Sequence, residues 1–319
     1  MKKAIKITAW VLLVLICGLI LITPKKSSAQ LIKNDGYKAF LTVWQIDSFE
    51  GGKGSRASFL KSVSNSFSKK HKGVLTLVVS HTVKSASKAI SEGKIPDIIS
   101  IGACGLDLSL YQKEVGNLSV EGGGIINDKR YFVPWVKSGY FKIVKGGGEK
   151  VIVSEGEYNS SLIALALSKE SFKSYKLLNQ ADAMNEFLTS TNATLIGTLR
   201  DVIRLSARNV DCKIEPLGNF SDLYQYALIT SKDNAYYSRL FIDYLLSENV
   251  QNQLTDLSML SVKKTGLYSD NSYLTALEKV KIDYTVSPFL DLDTIVKLKE
   301  IAKEVLNGSK EKEELIKHL

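Results

Sequence analysis

Histidine and cysteine are among the scarcest residues of this 319-residue chain, with three of each. His71 and His81 are the only internal histidines, one at a lysine-rich helix end and one at a strand end. Neither a metal cluster nor a histidine-based triad is indicated by that placement, and no nucleophile elbow is present. Beyond residue 30 only Cys104 and Cys212 remain, too few for a disulfide framework. A single bridge between them is one reading; two buried, reduced thiols is the other. No stretch after residue 30 approaches eighteen apolar residues, so a membrane span there is excluded. A strong excess of positive charge is missing too. Without the five lysines of the first 26 residues, 37 basic side chains stand against 33 acidic, too mild a balance for a nucleic-acid binder.

What the N-terminus does have is a basic start (Lys2, Lys3, Lys6) and an apolar run from Ile7 to Ile22. Ser27-Ser28-Ala29-Gln30 then suits signal-peptidase cleavage. Residues 1–30 are therefore expected to be a signal peptide or an uncleaved membrane anchor, and the remainder an exported body. Cys17 follows Ile16, where a lipoprotein signal needs a small residue, which argues against acylation.

Leu41 to Arg56 is the stretch around which the rest is organised. Phe40–Ile46 is apolar and β-prone, while Arg56–Lys70 carries Phe59, Leu60, Val63 and Phe67 on one helical face. Ser55 is a natural N-cap, and Lys69, Lys70 and Gly73 mark the helix end. Between strand and helix lies the charged loop Asp47-Ser-Phe-Glu50-Gly-Gly-Lys-Gly54-Ser. It resembles a phosphate loop only superficially, since the first glycine of that motif is Asp47 here.

Val74–Val79, Lys84–Glu92 and Asp97–Ile101 continue the pattern as strand, helix and strand. Continuous apolar strands of this kind imply a parallel sheet, whose ligands bind beyond the C-terminal strand ends. Arg130–Val144 is extended but broken by Pro134 and Gly139, as expected of a strand that leaves one sheet for another. Gly146–Gly148 suggests a hairpin into Val151–Val153. Leu162–Ser168 reads as a buried strand, and Gln180–Leu188 as a helix with Ala181, Met184 and Leu188 inward. Ala193–Gly197 and Tyr224–Thr230 are strands, Tyr236–Leu246 and Leu292–Leu306 helices, and the tail is charged and helical.

The order of features resembles the extracellular solute-binding proteins of ABC transporters, of the carbohydrate type (family 1) that includes maltodextrin-binding proteins. The residues that carry the resemblance are Leu41-Thr-Val-Trp44, Glu92-Gly-Lys-Ile-Pro-Asp97-Ile-Ile, Tyr131-Phe-Val-Pro-Trp135, and Ala183-Met-Asn-Glu-Phe-Leu188 before Ala193–Gly197. Ala235–Ser247, followed by Gln251, completes it. The resemblance implies an α/β, two-lobed periplasmic-binding-protein-like fold (type II) with a hinge between lobes. Lobe one would be 31–135 with 226–257, lobe two 136–225 with 258–319. It further implies a non-enzymatic monomer without cofactor or metal, which closes over a small solute, a sugar first and an anion second, for the membrane subunits of an ABC permease.

Seven residues are candidates for ligand contact. Trp44 and Trp135 offer ring faces for a sugar, with core packing as the competing reading. Asp47 and Glu50 accept hydroxyl hydrogen bonds, and Arg56 binds a carboxylate, a phosphate or a sugar edge. Arg200 and Asp201 follow a strand end and open a charged helix. Two other classes stay open: a membrane-tethered sensing or interaction subunit, and an envelope glycan-acting enzyme using Asp47 and Glu50.

Overall fold

The computed structural model describes residues 36–49, 51–116, 118, 120, 122–230, 233–263 and 266–319. The apolar run Ile7–Ile22 and Glu50 lie outside them, so the expectations of a signal or anchor and of a Glu50 contact do too. No helix among the described residues is long and apolar enough to cross a membrane.

The first helix, Arg56–Lys70, runs between the limits its sequence signals. Ser55 Oγ accepts from Ser58 N at its start, and Lys69 and Lys70 lie in its last turn. It buries Phe59, Leu60, Val63 and Phe67 against one face of a six-stranded sheet. The spatial order of that sheet is Leu260–Ser261, Phe132–Lys137, Tyr224–Ile229, Ile98–Ile101, Ala39–Asp47, Val74–Thr82. Ala39–Asp47 is parallel to both Val74–Thr82 and Ile98–Ile101, so the ends of all three point the same way. Asp97 ties this arrangement together: Oδ2 accepts from Thr42 N at 2.7 Å and Oγ1 at 2.9 Å, and Oδ1 accepts from Asn234 Nδ2 at 2.9 Å.

After Lys137 the chain leaves this sheet and enters another at Tyr140. Pro134, which has no N–H to give, lies beside the irregularity at Gln225/Tyr226 in the neighbouring strand. The second sheet has the order Lys213–Pro216, Tyr140–Lys145, Ala193–Thr198, Lys150–Glu155, Lys176–Asn179. The chain returns to the first sheet at Tyr224. Two-lobed α/β architecture with several crossings follows from the sheet memberships alone.

Four details differ from the sequence expectation. Tyr140–Lys145 and Lys150–Glu155 are not a hairpin, because Ala193–Thr198 lies between them, antiparallel to one and parallel to the other. That strand is buried at all six positions and takes the middle of the sheet, a long-range preference no turn signal reveals. Ser161–Leu167 is a wholly buried helix rather than a strand, capped by Ser160 Oγ, which accepts from Ile163 N. A short apolar run has no period to separate the two states. Helix Gln180–Thr189 turns Ala183, Met184 and Phe187 inward, leaving Ala181 exposed and Leu188 half-buried, because the Phe187 ring takes the core position. Leu260–Ser261 pairs within the first sheet, although it falls in the span assigned to lobe two. Cys104 is buried and Cys212 half-buried, both as free thiols. Burial pushes the Cys104 thiol up to about 12.

Candidate functional site

The strand Ala39–Asp47 ends at the sheet's C-terminal edge and delivers Asp47 to the mouth of the loop before helix Arg56–Lys70. Asp47 is half exposed. Its Oδ1 pairs with Arg56 Nη2 at 3.2 Å and accepts from Gln45 Nε2 at 3.1 Å. Arg56 is only 7 % exposed: Nη2 donates to Phe49 O at 2.6 Å, and the guanidinium lies 4.4 Å from the Phe49 ring centre. The arginine therefore moulds the loop from beneath and holds one edge of the Asp47 carboxylate, whose other oxygen, Oδ2, accepts from Ser80 Oγ at 3.5 Å.

From the second lobe, Arg200 reaches into the same loop and donates from Nη1 to Gly52 O at 2.7 Å. Ser138 Oγ, at the crossing, donates to Gly51 O at 2.7 Å, and Lys53 N donates to Leu257 O at 2.8 Å. Asp47, Lys53, Arg56, Arg200 and Met259 enclose a cavity of about 230 Å³. A Cβ at Gly52 would lie 2.2 Å from Leu257 O, a backbone atom. Gly52→Ala is therefore expected to destabilise by about 1–3 kcal/mol and to loosen the contact from Arg200. Urea unfolding checks it; an unchanged midpoint would mean that the loop is not held as described.

On the other side of Asp47, a second space of about 230 Å³ opens toward Gly156–Asn159 and Gln180 of the second lobe. Lys299 holds that loop. Its Nζ pairs with Glu155 Oε1 at 2.9 Å and donates to Gly156 O at 2.9 Å and Asn159 O at 3.1 Å. Burial raises the Glu155 carboxyl, with Lys299 pulling it back down. Sequence reasoning missed this loop, although Gly156 follows a strand end just as Ser48 does.

Asp47, Arg56 and Arg200 are thus brought together, whereas the other described candidates are not. Trp135 is 0 % exposed, stacked on Phe59 with ring centres 5.9 Å apart, and its Nε1 donates to Ser100 Oγ at 3.1 Å. It is core, because on the strand Phe132–Lys137 its side falls under helix Arg56–Lys70. Trp44 is 8 % exposed, on the opposite face of the sheet, tilted against His81 with ring centres 4.4 Å apart. Asp201 is 2 % exposed and reaches back to the start of its own helix, where Oδ2 accepts from Thr198 N at 2.8 Å. The pattern Thr198-x-x-Asp201 is the sequence signal for that cap. Among the described residues no group of three or more histidine, cysteine or acidic side chains is placed to hold a metal ion.

No protein-family model matches the sequence, and no curated protein matches it either. Solved structures do. The maltose-maltodextrin binding protein of Alicyclobacillus acidocaldarius superposes with a TM-score of 0.56 at 12% identity, over 88% of this chain and 99% of that one. The GacH receptor of Streptomyces glaucescens, described unliganded and with acarbose, gives 0.55 at 13% over 88% and 96%. An ABC substrate-binding protein of Listeria monocytogenes in complex with cycloalternan gives 0.54 at 11% over 88% and 96%. With two sheets, crossings between them and loops meeting at the strand ends, the chain has the two-lobed α/β fold of the periplasmic-binding-protein type.

Proposed function

We propose that the chain is an exported, extracytoplasmic binding protein that captures a small carbohydrate between its lobes and delivers it to an ABC importer. One observation carries the reading: Arg200 of the second lobe bonds to Gly52 O of the first, beside the half-exposed Asp47 carboxylate. Such a contact forms only when the lobes meet, so closure and the completion of a polar, hydroxyl-binding rim are one event. The similar structures support it, since those proteins are described as binding maltodextrin, acarbose and cycloalternan. Within this reading the protein is a monomer that turns nothing over.

Thermal unfolding of the full chain against mono- and oligosaccharides, phosphates and amino acids tests it, since a ligand that binds only the native state raises its melting point by mass action. A rise of several degrees with one saccharide is expected, together with a smaller radius of gyration by X-ray scattering. A saturating saccharide that leaves the radius unchanged would sink hinge closure. An anionic solute is the second reading, favoured by Lys53, Arg56 and Arg200 around one cavity at a helix N-terminus. Its mark is a phosphate-selective shift that fades with salt.

A further inference from the structure

A cavity of about 590 Å³ that Asp47 and its loop do not line lies where the chain crosses between lobes. Lys137 ends the outgoing strand one residue before Ser138, whose N–H donates to Leu223 O at 2.8 Å. Tyr224 begins the returning strand, and Ser261 ends the short strand beside them. These first-lobe residues, with Gly122 and Gly123, form one wall. The facing wall is Glu278 and the segment Val280–Thr285, whose strand Ile282–Tyr284 follows a helix that buries Leu274 and Leu277 in the core of the second sheet.

The chemistry of these walls is amphipathic and electrically balanced. Two tyrosine rings, Tyr224 and Tyr284, supply flat apolar faces, and two lysines stand against two carboxylates, with Lys281 and Asp283 paired at 2.5 Å. One polar atom at this place is buried without a hydrogen-bond partner, Glu278 Oε1, whereas the Tyr226 hydroxyl under Gly123 meets the Thr285 side chain. Glu278 Oε2, by contrast, accepts from Gly266 N at 2.8 Å. Leaving such a carboxylate oxygen unsatisfied is costly, and a hydroxyl of a guest that parts the wall would donate to it. The lining holds two lysines and two carboxylates, so a charged guest would upset that balance and a neutral one would not.

We propose that this chamber is a second binding site, for an uncharged saccharide of one or two rings, and that its occupancy biases lobe closure. Its two walls belong to different lobes and meet at the crossing strands, so rotation about those strands changes the shape of the chamber. A guest that fits one shape better shifts the closing equilibrium toward it, and the solute in the cleft must change the guest's affinity by the same factor. The site itself stands apart from the solute cleft; only its effect on closure rests on the reading of two closing lobes.

The test uses the full chain labelled with fluorotyrosine, with the signals of Tyr224 and Tyr284 assigned by Phe substitution, titrated with glucose, maltose and maltotriose. Saturable movement of both signals is expected with at least one sugar. Glu278→Gln, which can keep the bond from Gly266 N but puts a donor where Oε1 would accept, should weaken that binding about ten-fold through one lost hydrogen bond. Gly123→Leu should abolish it, since Gly123 lines the chamber and a Cβ there already meets Tyr226, Pro288 and Thr285 at 3.5–3.8 Å, so a longer side chain must crowd the wall. If a sugar binds and compacts the protein while both signals stay still and Glu278→Gln changes nothing, the chamber is wrong and solute capture stands. If no sugar binds at tens of millimolar, the chamber's saccharide assignment and the carbohydrate reading of the cleft fall together.

Discussion

Trp135→Ala is expected to cost about 3–5 kcal/mol of stability, the largest single-residue effect anticipated here. The indole is fully buried and stacked on Phe59 across the helix–sheet interface. Its removal leaves a cavity that neither a strand in mid-sheet nor a fifteen-residue helix can collapse to fill. The indole N–H also belongs to a buried polar chain. Ser100 Oγ donates to Gln45 Oε1 at 2.7 Å and accepts from Trp135 Nε1 and from Gln225 Nε2 at 3.2 Å, while Gln45 Nε2 reaches Asp47. The core tryptophan is therefore linked, through Ser100 and Gln45, to the carboxylate at the mouth of the site. Trp135→Phe, which keeps a ring but loses the donor, should cost about 1–3 kcal/mol. Urea unfolding separates the two variants. Full stability of Trp135→Ala with lost saccharide binding would return this residue to the cleft.

The second large effect is a pH dependence set at the crossing. Asp222 lies between the lobes, fully buried, with Oδ1 accepting from the Tyr140 hydroxyl at 2.5 Å and Oδ2 from Ser160 N at 2.9 Å. Burial pushes its carboxyl up to about 6 from 3.8, with the Tyr140 hydrogen bond and Lys299 opposing and Glu155 reinforcing. The folded chain then binds this proton more tightly than the unfolded chain. The contribution is complete below pH 4 and is lost as pH rises through about 6, a fall of about 3 kcal/mol. Glu155 is raised by burial as well and slopes the same way. Asp222→Asn removes the first of these slopes and leaves the second. Unfolding free energies between pH 4 and pH 7 decide the matter: the variant's curve should be flatter, and parallel curves would overturn the assignment.

How far the sequence could be read differs from element to element for identifiable reasons. Helix Arg56–Lys70 has the ends its capping residues signal, since a cap, terminal charge and a following glycine act within a few residues. The passage of the chain between sheets near Gly139 is legible for the same reason, as Pro134 and Gly139 restrict the backbone locally. Ser161–Leu167 and the separation of Tyr140–Lys145 from Lys150–Glu155 were not legible. A seven-residue apolar run and a glycine turn fit more than one structure, and partners far along the chain choose between them.

The candidate site divides in the same way. Asp47 and Arg56 lie nine residues apart, joined by a strand end and a helix start, so their meeting is a local matter. Arg200 meets Gly52 across 148 positions, and Lys299 meets Gly156 across 143. No pattern in either stretch announces those partners. Trp135 and Asp201 show the converse, where the residue type suits a ligand site and burial assigns it to the core or to a cap.

By itself, then, the sequence determined the alternation of strand and helix, the parallel start of the first sheet, the glycine-rich loop beyond its strand end, and the crossing at Gly139. Tertiary structure alone decided which strand lies in the middle of the second sheet, which aromatic rings are core, and which distant cations close on the loop. Propensity, capping and turn chemistry act over a few residues along the chain, whereas burial and ion pairing are settled by three-dimensional proximity.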